Sequence, residues 1–147
     1  MIILGDVGLK FEETEENRKF TESFLKIDKP IAIVEGNHEN HAFLNSFPEE
    51  TWHGGIVNRL TPHIVRLKRG YVFDIRGKSF FVMGGCKSSA KWKEMGLWFD
   101  GDSDTLDGLV KYIDGNVSFT HWYAGHWHKV ITYDDRHTIV YDNPITL

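Results

Sequence analysis

The stretch Pro30–Asn40, PIAIVEGNHEN, decides the fold of this chain, because an apolar run there leads through a glycine into four consecutive polar residues. Residues 31–34 have the length and β-branched content of a strand that is buried on both faces in a parallel sheet. Gly36 is expected to end this strand at a turn where a side chain would clash. Asn37 and His38 would then lie at the carboxyl end of the strand, where open α/β sheets bind ligands.

Asn37 and His38 place two kinds of chemistry side by side. The amide oxygen of asparagine is a hard metal ligand, and the imidazole of histidine can move protons near neutral pH. Asparagine is also a common turn-former, since it tolerates left-handed backbone and hydrogen-bonds its own main chain. The neighbouring glycine and histidine favour a ligand here.

Two further stretches have similar features. Residues 1–8, MIILGDVG, place Asp6 after an apolar run and a glycine, and residues 123–129, YAGHWHK, place His126 and His128 two positions apart. On an extended segment both rings would face the same side. Strand ends that carry these donors predict a dinuclear metal site. The simpler alternatives are that Asp6 is a turn residue and that the two histidines are packed surface residues.

The ordered set GDVG, GNHEN and GHWH resembles the calcineurin-like metallophosphoesterases, and most closely their small bacterial and phage-type members. The similarity continues through residues 52–55 (WHGG), 69–85 and 121–129, so that it covers nearly the whole chain. The resemblance implies an α/β sandwich of two mixed sheets flanked by helices. It also implies a metal-dependent hydrolase of phosphomonoesters or phosphodiesters.

The resemblance assigns a role to each candidate residue. Asp6 would bridge two divalent metal ions, Asn37 and His126 would bind one of them, and His128 would bind the other. His38 would contact the phosphate and protonate the leaving oxygen. Ligands of mixed nitrogen and oxygen type suit Mn²⁺, Fe or Zn²⁺ better than Ca²⁺, and the family points to manganese or iron first. The resemblance implies a phosphate ester as the substrate, and a nucleotide or nucleic acid would take part only as substrate.

The chain also departs from the family pattern. Similar proteins begin with a strand ending in Asp-x-His, followed by a helix, and they carry a longer middle segment with a Thr-His ligand. Here the first strand is the one that leads to Asp6, and the only Thr-His, Thr120-His121, directly precedes WYAGHWH. We therefore expect an amino-terminally shortened product or an internal start. An exposed sheet edge should result, and one metal ion would be weakly held or absent.

Three hypotheses follow from these features. The first is an active phosphoesterase. The second is a degenerate family member that keeps the fold and acts as a metal- or phosphate-binding module. The third is a structural α/β domain whose histidines are incidental.

Length and composition limit the choice. With 147 residues, of which 41% are hydrophobic, the chain can bury one modest core, which predicts a single domain over residues 1–147. The net charge of -4 gives no general attraction to nucleic acid or to an anionic membrane. Cys86 is the only cysteine, which fits a reducing cytoplasm, and no stretch approaches the length of a membrane span. Oligomeric state is left open.

Periodicity predicts the remaining elements. Residues 1–4 read as a strand and residues 12–27 as a helix with Phe20, Phe24 and Ile27 on one face, so that a right-handed βαβ unit places Asp6 and Asn37 at one sheet edge. Further along the chain we expect a helix at 42–47, a loop at 49–55, a strand at 60–67, a hairpin of 71–75 with 79–83 that begins the second sheet, a helix at 104–112, a strand at 119–125, and a closing hairpin of 129–133 with 138–141.

Overall fold

The computed structural model describes residues 1–84, 111–126, 128–132 and 134–146. The chain forms two compact units, Met1–Cys86 and Lys87–Leu147, and each is described by itself. Both contain helical residues and strands, so the protein is of the mixed α/β class, as predicted. A single domain over the whole chain stays a prediction.

The first unit is built on a five-stranded sheet with the strand order β1-β2-β5-β4-β3. Its strands are β1 (Ile2–Leu4), β2 (Ile31–Val34), β3 (Glu49–Trp52), β4 (Gly55–Arg59) and β5 (Ile64–Leu67). The strands β1 and β5 both pair in parallel with β2, and helix α1 (Glu15–Leu25) connects β1 to β2. The predicted βαβ unit is therefore confirmed. In the described part of the chain β1 lies at the sheet edge, as was also expected.

Strand β2 is buried along its whole length because both faces of the sheet are covered. Side chains alternate between the two faces of a strand, so Ile31 and Ile33 belong to one core cluster and Ala32 and Val34 to another. The first cluster includes Phe24 of α1 and Leu44 of the short helix α2 (His41–Asn45), and the second includes Phe73 of the hairpin described below. Burial on both faces explains the uninterrupted apolar run of this strand.

Helix α1 begins later than its acidic sequence suggests. Thr14 is the N-cap, and its side chain accepts a hydrogen bond from the Asn17 N–H at 3.1 Å, which fixes the first turn. The predicted apolar face is partly wrong, because Phe20 is 45% exposed and Thr21 is buried beside Phe24. Ile27 packs against the core from beyond the end of the helix.

The prediction of a loop at 49–55 is wrong, because strands β3 and β4 form an antiparallel hairpin there. Its turn consists of His53 and Gly54, whose φ angles are 49° and 92°. Two left-handed residues in succession match the right-handed twist of a hairpin. Strand β3 carries exposed glutamates at the sheet edge, so it lacks the alternation of apolar and polar residues that reveals a strand.

Strand β5 is shorter than predicted, since residues 60–63 form a turn. The Thr61 hydroxyl accepts hydrogen bonds from the His63 and Ile64 N–H groups, and this local pairing replaces a strand ladder. The hairpin of β6 (Val72–Ile75) and β7 (Lys78–Phe81) is antiparallel, as predicted, and Arg76 and Gly77 form its left-handed turn. It forms a separate two-stranded sheet.

The second unit contains a helical segment at residues 111–116 and a three-stranded sheet of order β8-β10-β9. The strands are β8 (Trp122–Ala124), β9 (Ile131–Thr132) and β10 (His137–Ile139). The antiparallel pairing of β9 with β10 confirms the closing hairpin, and β8 pairs in parallel with β10. Most of the helix predicted at 104–112 lies outside the described residues.

The described strands form three sheets, where two mixed sheets were predicted. The extra division arises because β3, β4 and β5 join the parallel strands, while the hairpin of β6 and β7 pairs with no other described strand. Among the residues that the structure describes, no helix has the length and apolar character needed to cross a membrane.

Candidate functional site

Two loops meet at the carboxyl ends of the paired strands β1 and β2. We call residues 5–10 the first loop and residues 35–40 the second loop. The Asp6 carboxylate in the first loop accepts a hydrogen bond from the His38 backbone N–H in the second, with Oδ1 and the nitrogen 2.9 Å apart. Because β1 and β2 run parallel, their following residues emerge at the same sheet edge. The expected proximity of Asp6 to the Asn37-His38 turn is therefore confirmed.

Gly36 allows this close approach. A Cβ atom at Gly36 would lie 2.0 Å from Asp6 Oδ1 and 2.4 Å from the Asp6 backbone nitrogen, distances that no side chain can occupy. The predicted clash therefore exists, and its partner is the candidate ligand Asp6. Glycine is required here for space.

We expect Gly36→Ala to separate the two loops. The added methyl group must displace Asp6, so the hydrogen bond from His38 should be lost and the protein should be destabilised by about 1–3 kcal/mol, the usual cost of overpacking. Chemical denaturation would measure the loss. Gly115→Ala is the matched control, because a Cβ there meets no atom within 4 Å. A Gly36→Ala variant as stable as the parent would contradict the close contact.

The backbone of Asp6 is left-handed, with φ of 53°, and Gly5 before it has φ of 86°. Left-handed backbone is uncommon for residues other than glycine, although aspartate is among the residues that tolerate it best. Such conformations persist where surrounding contacts determine them, and they cluster at functional sites. Asp6 therefore projects from a turn that other residues must hold in place.

Glu39 supplies part of that support. Its carboxylate accepts hydrogen bonds from the Val7 N–H at 2.8 Å and from the Gly8 N–H at 3.2 Å, and the residue is only 5% exposed. Burial raises the pKa of the Glu39 carboxyl, the nearby negative charge of Asp6 adds to the rise, and the backbone N–H groups oppose it. Sequence reasoning missed this residue. Its only signal was an acidic residue within the polar run after β2.

Asn37 differs from the other polar residues of the second loop. Its side-chain Oδ1 is buried and has no hydrogen-bond partner within the described residues. A buried carbonyl-type oxygen without a partner costs about 1–3 kcal/mol, so native structures seldom retain one without a reason. By contrast, Asn40 Oδ1 accepts the Phe43 N–H at 2.9 Å and caps α2. An amide oxygen without a donor beside a carboxylate loop fits the requirements of a divalent cation.

His38 is exposed, and its ring stacks on Phe11 with centroids 5.1 Å apart and planes inclined by 26°. Phe11 follows the first loop and is 44% exposed, although large aromatic side chains are usually buried. The stack restricts the imidazole while leaving it in contact with solvent. Sequence reasoning did not identify Phe11, since one exposed aromatic in a loop carries no pattern.

Buried ionic contacts hold the first residue of the second loop. Glu35, the first residue after β2, is paired with Arg66 of β5, and both side chains are almost fully buried. Arg66 also donates to Asn58 Oδ1 at 3.0 Å and to Asn45 Oδ1 at 2.6 Å. This network joins two central strands to the segment that carries Asn37.

His126 and His128 belong to the second unit, where they follow β8. Their φ angles are 81° and 49°, so the backbone at each is left-handed and not extended. The inference that both rings face the same side depended on an extended segment, and that premise is wrong. The ring of His128 stacks on Tyr141 with centroids 5.1 Å apart and planes inclined by 13°.

Sequence reasoning missed that residues 135–137 form an Asp-x-His triplet, which ends at the first residue of β10 and is distant in sequence from the first strand. His137 Nδ1 lies 2.9 Å from both oxygens of Asp134, and its Nε2 lies 3.3 Å from Asp114. The pKa of the Asp134 carboxyl is lowered, chiefly by the hydrogen bond that it accepts from the Arg136 N–H. These contacts stabilise a turn of the second unit.

No group of three or more histidine, cysteine, aspartate or glutamate side chains is placed to hold a metal ion, as far as the described residues extend. Asparagine is not one of these four residue types, so this finding does not bear on Asp6 and Asn37 as a pair of ligands. Comparisons with protein-family models, with curated proteins and with solved structures found no match.

Proposed function

We propose that this protein is a metal-dependent hydrolase of phosphate esters of the calcineurin-like type. The observation that carries the proposal is the buried Asn37 Oδ1, which lacks a hydrogen-bond partner among the described residues. Asn37 follows β2, and β2 pairs with β1, the strand that leads to Asp6. The ordered motifs GDVG, GNHEN and GHWH support the same conclusion. Substrates would be phosphomonoesters or phosphodiesters, including nucleotides.

Asp6 and Asn37 would supply oxygen ligands from the first unit. The hydrogen bond from the His38 N–H holds Asp6 Oδ1 in one orientation, which limits the entropy lost when the carboxylate binds a cation. Divalent ions, with Mn²⁺ first and Fe or Zn²⁺ as alternatives, would generate a nucleophile from water at neutral pH and neutralise phosphoryl charge. The resemblance also implies His126 and His128 as metal ligands.

His38 would contact the phosphate and donate a proton to the leaving oxygen. Its imidazole is exposed to solvent and is restrained by Phe11, so it can meet a substrate without first being uncovered. Histidine is the side chain most often used for general acid catalysis.

A second candidate is a metal- or phosphate-binding module without turnover. The geometry of the first unit supports it as well, because the two oxygen ligands Asp6 and Asn37 can bind a cation whether or not turnover follows. A site with two protein ligands binds its ion weakly. Hydrolysis therefore separates the two candidates more clearly than metal binding does.

The proposal is tested with the full chain saturated with Mn²⁺. Metal content is measured by elemental analysis after removal of free ions, and hydrolysis is measured with an aryl phosphate monoester and an aryl phosphate diester. Bound Mn²⁺ with turnover of either ester supports the enzyme. Bound Mn²⁺ without turnover supports the binding module, and absence of bound metal overturns the enzyme and the metal-binding form of the module.

His38→Ala should separate catalysis from metal binding. We expect Mn²⁺ content to stay near that of the parent while turnover falls by roughly 10²–10⁴, with the smaller loss for a leaving group that needs no proton. His63→Ala is the matched control, because His63 is also an exposed histidine but precedes β5 and pairs with Asp28. Parental turnover of both esters by His38→Ala would refute the acid role.

A further inference from the structure

The two loops of the candidate site are joined by carboxylate contacts in both directions. Asp6 of the first loop accepts the His38 N–H of the second, while Glu39 of the second accepts the N–H groups of Val7 and Gly8. The partners are 31 or 32 residues apart in sequence, so these hydrogen bonds exist only in the folded chain. Hydrogen bonds to ionised carboxylates are shorter and stronger than neutral ones.

The first loop depends on such contacts because its backbone is unusual. Gly5, Asp6, Gly8 and Lys10 all have positive φ, at 86°, 53°, 73° and 50°. No strand or helix holds residues 5–10, so the conformation must be imposed by neighbours. The Gly8 carbonyl accepts from the Asn17 amide at 2.8 Å, and the Lys10 N–H donates to Thr21 Oγ1 at 3.0 Å. Of the side chains that bind this loop, Glu39 contacts the two residues directly after Asp6.

The contacts of Glu39 require a carboxylate. Its two oxygens each accept one N–H group, and at 5% exposure little water can replace them. A glutamine in the same place has one acceptor, and its NH₂ group would face a backbone donor. The side chain is therefore matched to two adjacent N–H groups.

We propose that Glu39 is a positioning residue that holds the first loop in the conformation that presents Asp6 to a divalent cation. The inference rests on the proposed function, because it assumes that Asp6 is a ligand. Glu39 contacts the backbone of the first loop and acts through Asp6. Partners that orient metal ligands in this way typically contribute 10–100-fold to metal affinity.

The test compares Glu39→Gln with Thr21→Val in the full chain. Thr21 is 2% exposed and binds the same loop at Lys10, so the control removes an equally buried contact without touching the residues beside Asp6. Mn²⁺ affinity is measured by titration calorimetry. We expect Glu39→Gln to bind Mn²⁺ about 10–100-fold more weakly and Thr21→Val to bind it like the parent.

A second readout needs no metal. Amide hydrogen exchange at Val7 and Gly8 should accelerate in metal-free Glu39→Gln, because one of the two N–H groups loses its acceptor, and should be unchanged in Thr21→Val. If Glu39→Gln does not fold, Glu39→Asp serves instead. It keeps the charge but is one methylene too short to reach both N–H groups, so weaker Mn²⁺ binding is again expected.

The outcomes separate the two proposals. Parental Mn²⁺ affinity in the Glu39 variant, together with loss of Mn²⁺ in Asn37→Ala, would overturn the role of Glu39 and leave the proposed function standing. An equal loss of Mn²⁺ affinity in Thr21→Val would also overturn it, since general loosening of the loop would then suffice. A parent chain that binds no Mn²⁺ would overturn both proposals.

Discussion

Asn37→Ala is expected to lose bound Mn²⁺ and phosphate ester hydrolysis together. The substitution removes a buried oxygen that has no protein partner in the described part of the chain. No hydrogen bond to that oxygen is lost there, so the expected effect is weaker metal binding. Residues that only orient metal ligands typically contribute about 10–100-fold to metal affinity, so loss of a direct ligand should weaken Mn²⁺ binding by more than about 100-fold. Elemental analysis and hydrolysis of an aryl phosphate ester would measure the two effects on one preparation.

The same substitution should leave the fold intact or improve it. Removing an unsatisfied buried oxygen relieves its desolvation cost, so metal-free Asn37→Ala should be at least as stable as the metal-free parent. Asn37→Asp keeps an oxygen at this position and adds charge, and it should retain Mn²⁺.

Asn40→Ala is the matched control for this prediction. Asn40 lies three residues further along the same loop, but its side chain caps α2 and donates to the Lys10 carbonyl at 2.7 Å. Loss of such a cap costs about 1 kcal/mol of stability and should not remove the metal. Retention of Mn²⁺ by Asn37→Ala, or its loss only in Asn40→Ala, would show that Asn37 is a turn residue.

Arg66→Ala is expected to lower the free energy of unfolding by about 3–5 kcal/mol, the usual cost of removing one partner of a buried ion pair. The side chains of Arg66 and Glu35 are 7% and 3% exposed, so solvent cannot replace the lost charge. Asn58 Oδ1 and Asn45 Oδ1 would also lose their donor. A loss of this size is a large part of the total stability of a typical domain.

Two comparisons would isolate the cause of this loss. Lys68→Ala removes a partly exposed ion pair to Glu49 just beyond the same strand and should cost no more than about 1 kcal/mol. The double variant Glu35→Leu with Arg66→Met removes both buried charges and should recover much of the stability lost in Arg66→Ala. Urea denaturation would measure all of them. A loss below about 1 kcal/mol in Arg66→Ala would mean that the pair is not buried in solution.

Local sequence was sufficient for the elements whose pattern is set by nearby residues. The apolar run 31–34 predicted β2 with its observed bounds, and the strand–helix–strand order predicted the parallel pairing with β1. The clash expected at Gly36 was also correct, because a glycine in the turn that follows a buried strand predicts a close approach. Both predictions depend only on residues that are close together in the sequence.

Tertiary structure decided what depends on distant partners. Strand β3 was hidden by its exposed glutamates at a sheet edge, and the backbone at His126 and His128 proved left-handed where an extended segment was expected. The contacts of Glu39 with Val7 and Gly8 join loops whose meeting is set by the packing of the whole sheet. Hydropathy patterns describe which face of an element is buried. They carry no information about which backbone N–H a buried carboxylate will meet, because that depends on where separate loops come together after folding.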